Sequence, residues 1–259
     1  NVYLPHAVDS QFFKPIQEEK IQEIKKQQGL EDKFIFFWNN RNARRKMSGS
    51  LIYWFKKFCD KIGRDKAVLI MHTEPKDPYG QDLEHLISHF GVDNGEIMLS
   101  REKIPPEHLA MMYNMADCTI NVSDAEGFGL ATLESLSCET PIIVTMTGGL
   151  QEQVTDGEQW FGIGIEPSSK ALIGSQQVPY IFEDRIDGDQ LIDALEKMYN
   201  MTKEEIKSLG KKGREHVTKN YNFEDYQKSW VELMDKVHDE HGSWDSRKNY
   251  SRWTLEKIS

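Results

Sequence analysis

The stretch Cys118-Thr-Ile-Asn-Val-Ser-Asp-Ala-Glu126-Gly-Phe-Gly-Leu-Ala-Thr-Leu-Glu134-Ser-Leu136 decides how this chain is read. An apolar run at 118–122 gives way to two glycines and then to a helix-like run at 131–136. That order is strand, glycine loop, helix. Gly127 and Gly129 let the backbone approach a ligand with no Cβ in the way. The amides of Phe128, Gly129, Leu130 and Ala131 then lie at a helix N-terminus. Free N–H groups and the helix dipole there favour an anion such as a diphosphate. Glu134 sits about two turns beyond Glu126, placed to accept hydrogen bonds from hydroxyls past that phosphate. A loop carboxylate, a phosphate cradle and a helix carboxylate together suit a nucleotide-sugar. The plain alternative is an α/β loop followed by a solvated helix carboxylate. The glycines, the spacing and the strand–helix order agree against it.

The same residues, with seven positions between Glu126 and Glu134, resemble the Glu-x7-Glu signature of the family-4 (group 1) retaining glycosyltransferases. These enzymes carry two Rossmann-like domains, the GT-B fold. The resemblance spans nearly everything from Leu4 to about Tyr221 and implies that this chain is the C-terminal, donor-binding half. The family transfers a sugar from a nucleotide diphosphate to an acceptor hydroxyl with retention of anomeric configuration. It implies Glu126, Arg41 and Lys46 as the catalytic set. Arg41 and Lys46 would clamp the diphosphate, Glu134 would hold the ribose, and Glu126 would orient the sugar, helped by the amides of Phe128 and Gly129. Glu126 is not assigned as a covalent nucleophile, because in such enzymes the leaving-group phosphate is favoured as the base. Gly148 and Gly149, in Thr147-Gly-Gly-Leu150, resemble the glycine pair that lines the sugar pocket. Met98 and Arg101 fall where family members hold the base, and core packing alone also explains Met98.

Outward from that motif, six short apolar runs (34–38, 67–71, 96–99, 118–122, 141–145 and 160–165) alternate with amphipathic stretches. This predicts an α/β domain, a Rossmann-like parallel six-stranded sheet with helices on both faces, plus C-terminal helices. Residues 1–30 read as an inter-domain hinge and polar helix, with Phe12 and Phe13 as apolar anchors. Residues 31–220 read as the donor-binding domain, and 221–259 as a C-terminal helical tail. Residues 166–186 read as a long irregular segment that packs down as an ordered loop. Trp244, Tyr250 and Trp253 in the tail read either as anchors for the other domain or as part of a frayed terminus.

Between the first run and the next helix, four cations (Arg41, Arg44, Arg45, Lys46) fall within six positions of an otherwise acidic chain, net charge −10. Facing a diphosphate they would offset its charge and stabilise the leaving group without a metal ion. Arg44 and Arg45 read as solvated or structural. A nucleic-acid or targeting patch is the rival reading, and the acidic background argues against it. His85 and His89 share metal-ligand spacing on one helix but have no recognisable third ligand. No G-x-G-x-x-G follows the first strand, which weakens a nicotinamide reading. The expectation is therefore no cofactor and no metal. The donor would be UDP-, GDP- or ADP-linked, and the acceptor a glycan, a lipid-linked molecule or a small molecule. No run reaches the roughly eighteen apolar residues of a membrane span. Cys59, Cys118 and Cys138 read as reduced core thiols, so a cytoplasmic location is expected, with a peripheral position at the inner membrane face as its variant. The chain begins at Asn1, which fits a piece of something longer whose N-terminal acceptor domain is missing. Two other classes stay open: a nucleotide-sugar epimerase of the same fold, and a non-catalytic nucleotide- or partner-binding module.

Overall fold

The computed structural model describes residues 2–248. Six apolar runs become β1 (Phe34–Asn39), β2 (Ala67–His72), β3 (Ile97–Ser100), β4 (Cys118–Asn121), β5 (Ile142–Thr145) and β6 (Gly162–Ile165). They form one parallel sheet in the order β3-β2-β1-β4-β5-β6, with Phe36 opposite both Leu69 and Cys118. The expected six-stranded Rossmann-like sheet is therefore present.

Side chains alternate across each strand, so β1 feeds two cores at once. Phe36 and Trp38 point to one face, where they meet α2 (Ser48–Ile62), α3 (Leu83–Phe90) and α7 (Gly188–Tyr199). Ile35 and Phe37 point to the other, against α4 (Pro106–Met115), α5 (Leu130–Ser137), α6 (Leu150–Val154) and α8 (Lys203–Asn220). All four side chains are fully buried, and each such burial contributes about 1.5–3 kcal/mol. Helix starts are written locally: Asp187 with Gln190, and Thr202 with Glu205, form capping boxes at α7 and α8. α1 (Glu18–Gln27) packs on α4, and α9 (Phe223–His241) closes the described chain.

The strand order makes β1 and β4 neighbours although β2 and β3 intervene in sequence. The chain turns one way after β1 and the other way after β4, leaving a crevice at their carboxyl ends. Ligands of open α/β sheets bind at such switch points.

Three expectations need correction. Residues 166–186 are not an irregular loop: β7 (Ser169–Ile173) and β8 (Ile181–Arg185) pair as an antiparallel hairpin. Nor do most of its apolar residues pack down: Leu172, Tyr180 and Phe182 are exposed while Glu183 is buried, and Ile186 at its end does meet the core. Of the hinge anchors, Phe13 is buried but Phe12 is not. The second anchor is Val8, whose N–H donates to the Tyr221 carbonyl at 3.0 Å. Trp244 is exposed, with the Arg247 guanidinium stacked 4.0 Å over its ring. Tyr250 and Trp253 lie outside the described residues. Among those described, no helix is long and apolar enough to cross a membrane, and all three cysteines are free and buried.

α8 crosses α5 with almost no space between them, and glycine makes this possible. A Cβ at Gly210 would fall inside the van der Waals shell of the Glu139 carbonyl oxygen, and one at Gly213 would strike Leu136. Ala is favoured over Gly by about 1 kcal/mol inside a helix. Gly210→Ala is nonetheless expected to lower stability by 1 kcal/mol or more, read as a lower urea midpoint. A neutral or stabilising outcome would show that the two helices separate easily.

Candidate active site at the carboxyl edge of the sheet

The loop from β1 to α2 is fixed on both sides. Asn42 is fully buried and its side-chain amide donates to the carbonyls of Pro75 and Gln81 at 3.2 and 2.7 Å. Its oxygen accepts from the Ser48 hydroxyl at 2.7 Å. On the other side the Asp124 N–H donates to the Arg45 carbonyl at 2.8 Å, tying the loop after β1 to the loop after β4. Arg44–Lys46 form one 3-10 turn, and Met47 adopts a left-handed φ of 56°, unusual for a side chain of its size. This tight geometry aims the buried Lys46 ammonium across the switch point.

There it meets Glu126. The two side chains are almost wholly buried and form a direct ion pair. Asn121 and Ser123 approach the same carboxylate at 3.5 Å, and an Arg45 nitrogen lies 3.6 Å from its other oxygen. Burial lowers the Lys46 pKa against the pull of Glu126. Burial also opposes ionisation of Glu126, but Lys46 and Arg45 outweigh it and hold the carboxyl below its usual range. Across this contact each group offsets the burial cost of the other.

The other cations of the run are engaged separately. Arg41 is largely exposed, makes a two-pronged pair with Asp77 (2.7 and 3.2 Å) and stacks over Tyr79 at 4.6 Å. Arg44 takes Glu183 of the hairpin at 3.0 and 2.5 Å, and Arg45 donates to the Ala125 carbonyl at 2.7 Å. Arg44 and Arg45 therefore hold structure, whereas Lys46 and Glu126 converge.

The glycine loops stack on one another. Gly129 is left-handed (φ 91°) and forms the N-cap of α5, so the amides of Leu130 and Ala131 open that helix, with Phe128 just before it. A Cβ on Gly148 would collide with the Glu126 carbonyl oxygen, and the Gly149 N–H reaches the Gly127 carbonyl at 3.3 Å. Fully buried Gln153 completes the support, donating to the Phe128 carbonyl at 2.7 Å while Thr132 donates to its oxygen.

Glu134 lies in the second turn of α5, partly buried, accepting from the Tyr113 hydroxyl at 2.7 Å. The Asn39 amide donates to that hydroxyl in turn, at 2.8 Å. Burial is the main cause that pushes the Glu134 pKa up to about 7, against the Tyr113 hydrogen bond. Met98 is partly buried against the core, and Arg101 is an exposed residue paired with Glu84 at 2.5 Å. His85 and His89 stack at 6.3 Å, with no third His, Cys, Asp or Glu grouped with them among the described residues.

Sequence reasoning missed a polar group beside the crevice. Arg185 of the hairpin pairs with Asp124 at 2.7 Å and Glu183 at 3.0 Å, and Asp184 accepts from Thr147 at 2.6 Å. Burial raises Asp124 to about 6. Tyr113, Asn39 and Gln153 were likewise missed. Polar Asn39 ending an aromatic strand was the single available signal.

Two outcomes follow from burial. Glu126→Ala leaves a buried ammonium without a carboxylate and should cost about 3–5 kcal/mol. Lys46→Ala leaves Glu126 with Arg45 and should cost less, and the double variant should cost less than the sum, all read from urea unfolding. The second outcome concerns Glu134, whose raised pKa means the native state keeps a proton that the unfolded chain has lost between about pH 4.5 and 7. Its contribution to stability is therefore present at low pH and fades as pH rises through 7. Glu134→Gln should flatten the pH–stability curve there and be about 1 kcal/mol or more stabler than the parent at pH 8.

The model of the family described as Glycosyl transferases group 1 matches residues 19–216. The D-inositol 3-phosphate glycosyltransferase of Acidothermus cellulolyticus is 37% identical over 86 residues, which is 33% of this chain and 18% of that protein. Its counterpart in Kribbella flavida is 35% identical over 118 residues, 42% of this chain and 27% of that one. Sucrose-phosphate synthase from Thermosynechococcus elongatus superposes with a TM-score of 0.71 at 23% identity, over 91% of this chain and 52% of that structure. Anabaena HepE, solved with UDP and glucose, gives 0.70 at 13% identity, over 90% and 56%. The C-terminal domain of a group 1 glycosyl transferase (LpcC) from Francisella tularensis gives 0.63 at 20% identity, over 83% and 99%. The chain thus spans about half of the larger structures and a smaller share of the curated relatives. With its matched residues covering β1 to β6 and both carboxylates of the crevice, this chain belongs to the glycosyl transferases of group 1.

Proposed function

We propose that this chain is the donor-binding half of a retaining GT-B glycosyltransferase. It would hold a nucleotide-diphosphate sugar in the crevice between β1 and β4, for transfer to an acceptor hydroxyl supplied with a partner N-terminal domain. The observation that carries the proposal is the meeting of Lys46 and Glu126 at the switch point, beside the amides that open α5, the helix that also carries Glu134. The relatives' printed names and the UDP and glucose held by Anabaena HepE support it.

Lys46 would exchange Glu126 for the diphosphate, while the freed carboxylate accepts hydrogen bonds from sugar hydroxyls. Cation and carboxylate are thus both satisfied in the bound state, which makes the exchange affordable. The amides of Phe128, Gly129, Leu130 and Ala131 would take phosphate or sugar oxygens, and Gly148 and Gly149 would wall the sugar pocket. Arg41 would turn from Asp77 to the diphosphate, and its exposure leaves it free to do so. Glu134 would hold the ribose. Charge building on the departing diphosphate falls to Lys46, Arg41 and the amides, the role that fixed donors play best in a crevice shielded from water. No step in this scheme calls on a metal. Met98 and Arg101 would border the base.

A thermal-shift panel of UDP, GDP, ADP and their sugars tests the reading. A ligand at a hundredfold its dissociation constant adds about 2.7 kcal/mol, visible as a higher melting temperature. Silence from every nucleotide, with the protein folded, would sink the donor assignment. In the full-length protein, Glu126→Ala should cut sugar transfer about a hundredfold or more. Unchanged transfer would favour a non-catalytic module, and release of an epimerised sugar nucleotide would favour an epimerase.

A further inference from the structure

We infer that Tyr113 is a positioning residue for the ribose-binding carboxylate: its hydroxyl, oriented by Asn39, fixes one oxygen of Glu134 and leaves the other to receive the ligand. The inference rests on the reading of Glu134 given above and extends it to two residues outside the glycosyltransferase signature.

The geometry is a directed chain. The Asn39 Nδ2 can only donate, and it donates to the Tyr113 oxygen at 2.8 Å. With an incoming donor occupying a lone pair, the single Tyr113 proton is delivered to Glu134 Oε2, 2.7 Å away. The phenol cannot wander: Tyr113 is fully buried, with Phe37 and Phe13 edge-on to its ring at 5.1 and 6.0 Å. Asn39 is the last residue of β1, Tyr113 lies on α4 and Glu134 on α5, so the phenol links three separate elements.

Packing alone would be served by phenylalanine. A hydroxyl placed 2.7 Å from a partly buried carboxylate, with its own oxygen satisfied by an amide, is an arrangement for orientation. Only Oε2 of Glu134 has a hydrogen-bond partner among the described residues, and that partner is Tyr113. Tyr113 and the buried thiol of Cys138 are the titratable groups whose charges couple to Glu134 from the packed elements. Both remain neutral near pH 7, because burial pushes each of their pKa values up. The proton lost near neutrality is therefore that of Glu134, and Tyr113 acts on it by donating to the ionised form.

The experiment pairs direct titration with binding on the 259-residue chain. In protein labelled with 13C at glutamate side chains, the Glu134 resonance, assigned by its loss in Glu134→Gln, is followed from pH 4 to 9. In Tyr113→Phe the midpoint should move up by about one pH unit, since the ionised carboxylate loses its donor. UDP affinity at pH 7 should fall about tenfold and recover partly toward pH 9. Asn39→Ala, which keeps the phenol, should shift the midpoint the same way by less, and serves if Tyr113→Phe folds poorly. An unmoved midpoint in both variants overturns the positioning role whatever happens to UDP. A moved midpoint with UDP affinity unchanged in Glu134→Gln overturns the ribose reading instead, and the inference with it.

Discussion

One lysine–glutamate pair joins the two halves of the sheet at its carboxyl edge. Lys46 lies in the loop after the strand that starts the sheet in one direction, and Glu126 in the loop after the strand that starts it in the other. Their pairing closes the gap that the strand order opens. A lone buried charge at either position would be costly to hold, so each residue needs the other. The surrounding architecture serves that condition. Asn42 and the Asp124–Arg45 backbone link fix the lysine's loop, and Gly148 packs without a side chain beneath the glutamate's.

The hairpin after β6 adds a second layer of control. Its Glu183 and Arg185 reach Arg44 and Asp124, residues that flank Lys46 and Glu126 by two positions each. Thr147 and Asp184 extend the same mesh to the glycine pair. Three crevice loops are thus held by a ribbon whose own outer face stays wet. Exposed ion pairs are worth little, but Asp124 and Glu183 are buried, so this mesh holds more firmly than surface salt bridges do.

How much of this was legible in the sequence depended on the range of the interaction. The six strands announced themselves because runs such as Phe34–Trp38 are apolar from end to end, the pattern of strands buried on both faces. The glycine loop and its two glutamates were legible because strand, turn and helix follow one another within one short stretch. The hairpin was not: β7 and β8 are joined by seven residues without a tight-turn signature, and their outward apolar residues imitate core. Phe12 and Phe13 were indistinguishable as letters, and only the path of the backbone decides which is buried. Tyr113, Gln153 and Arg185 lie 21, 25 and 61 positions from the partners they serve, Glu134, Phe128 and Asp124. No local pattern encodes such distances. Arg41 and Lys46 looked alike as neighbours in a basic run, yet the fold sends one to solvent and the other inward.

The two glycine loops differ in how much redesign they would tolerate. Gly148 and Gly149 abut main-chain atoms of the facing loop, so any substitution there must push backbone aside. Gly127 has nothing within 4 Å of where a side chain would begin, and its φ is not left-handed. Directed libraries that vary these loops therefore have a natural point of entry at 127, with 148 and 149 left untouched.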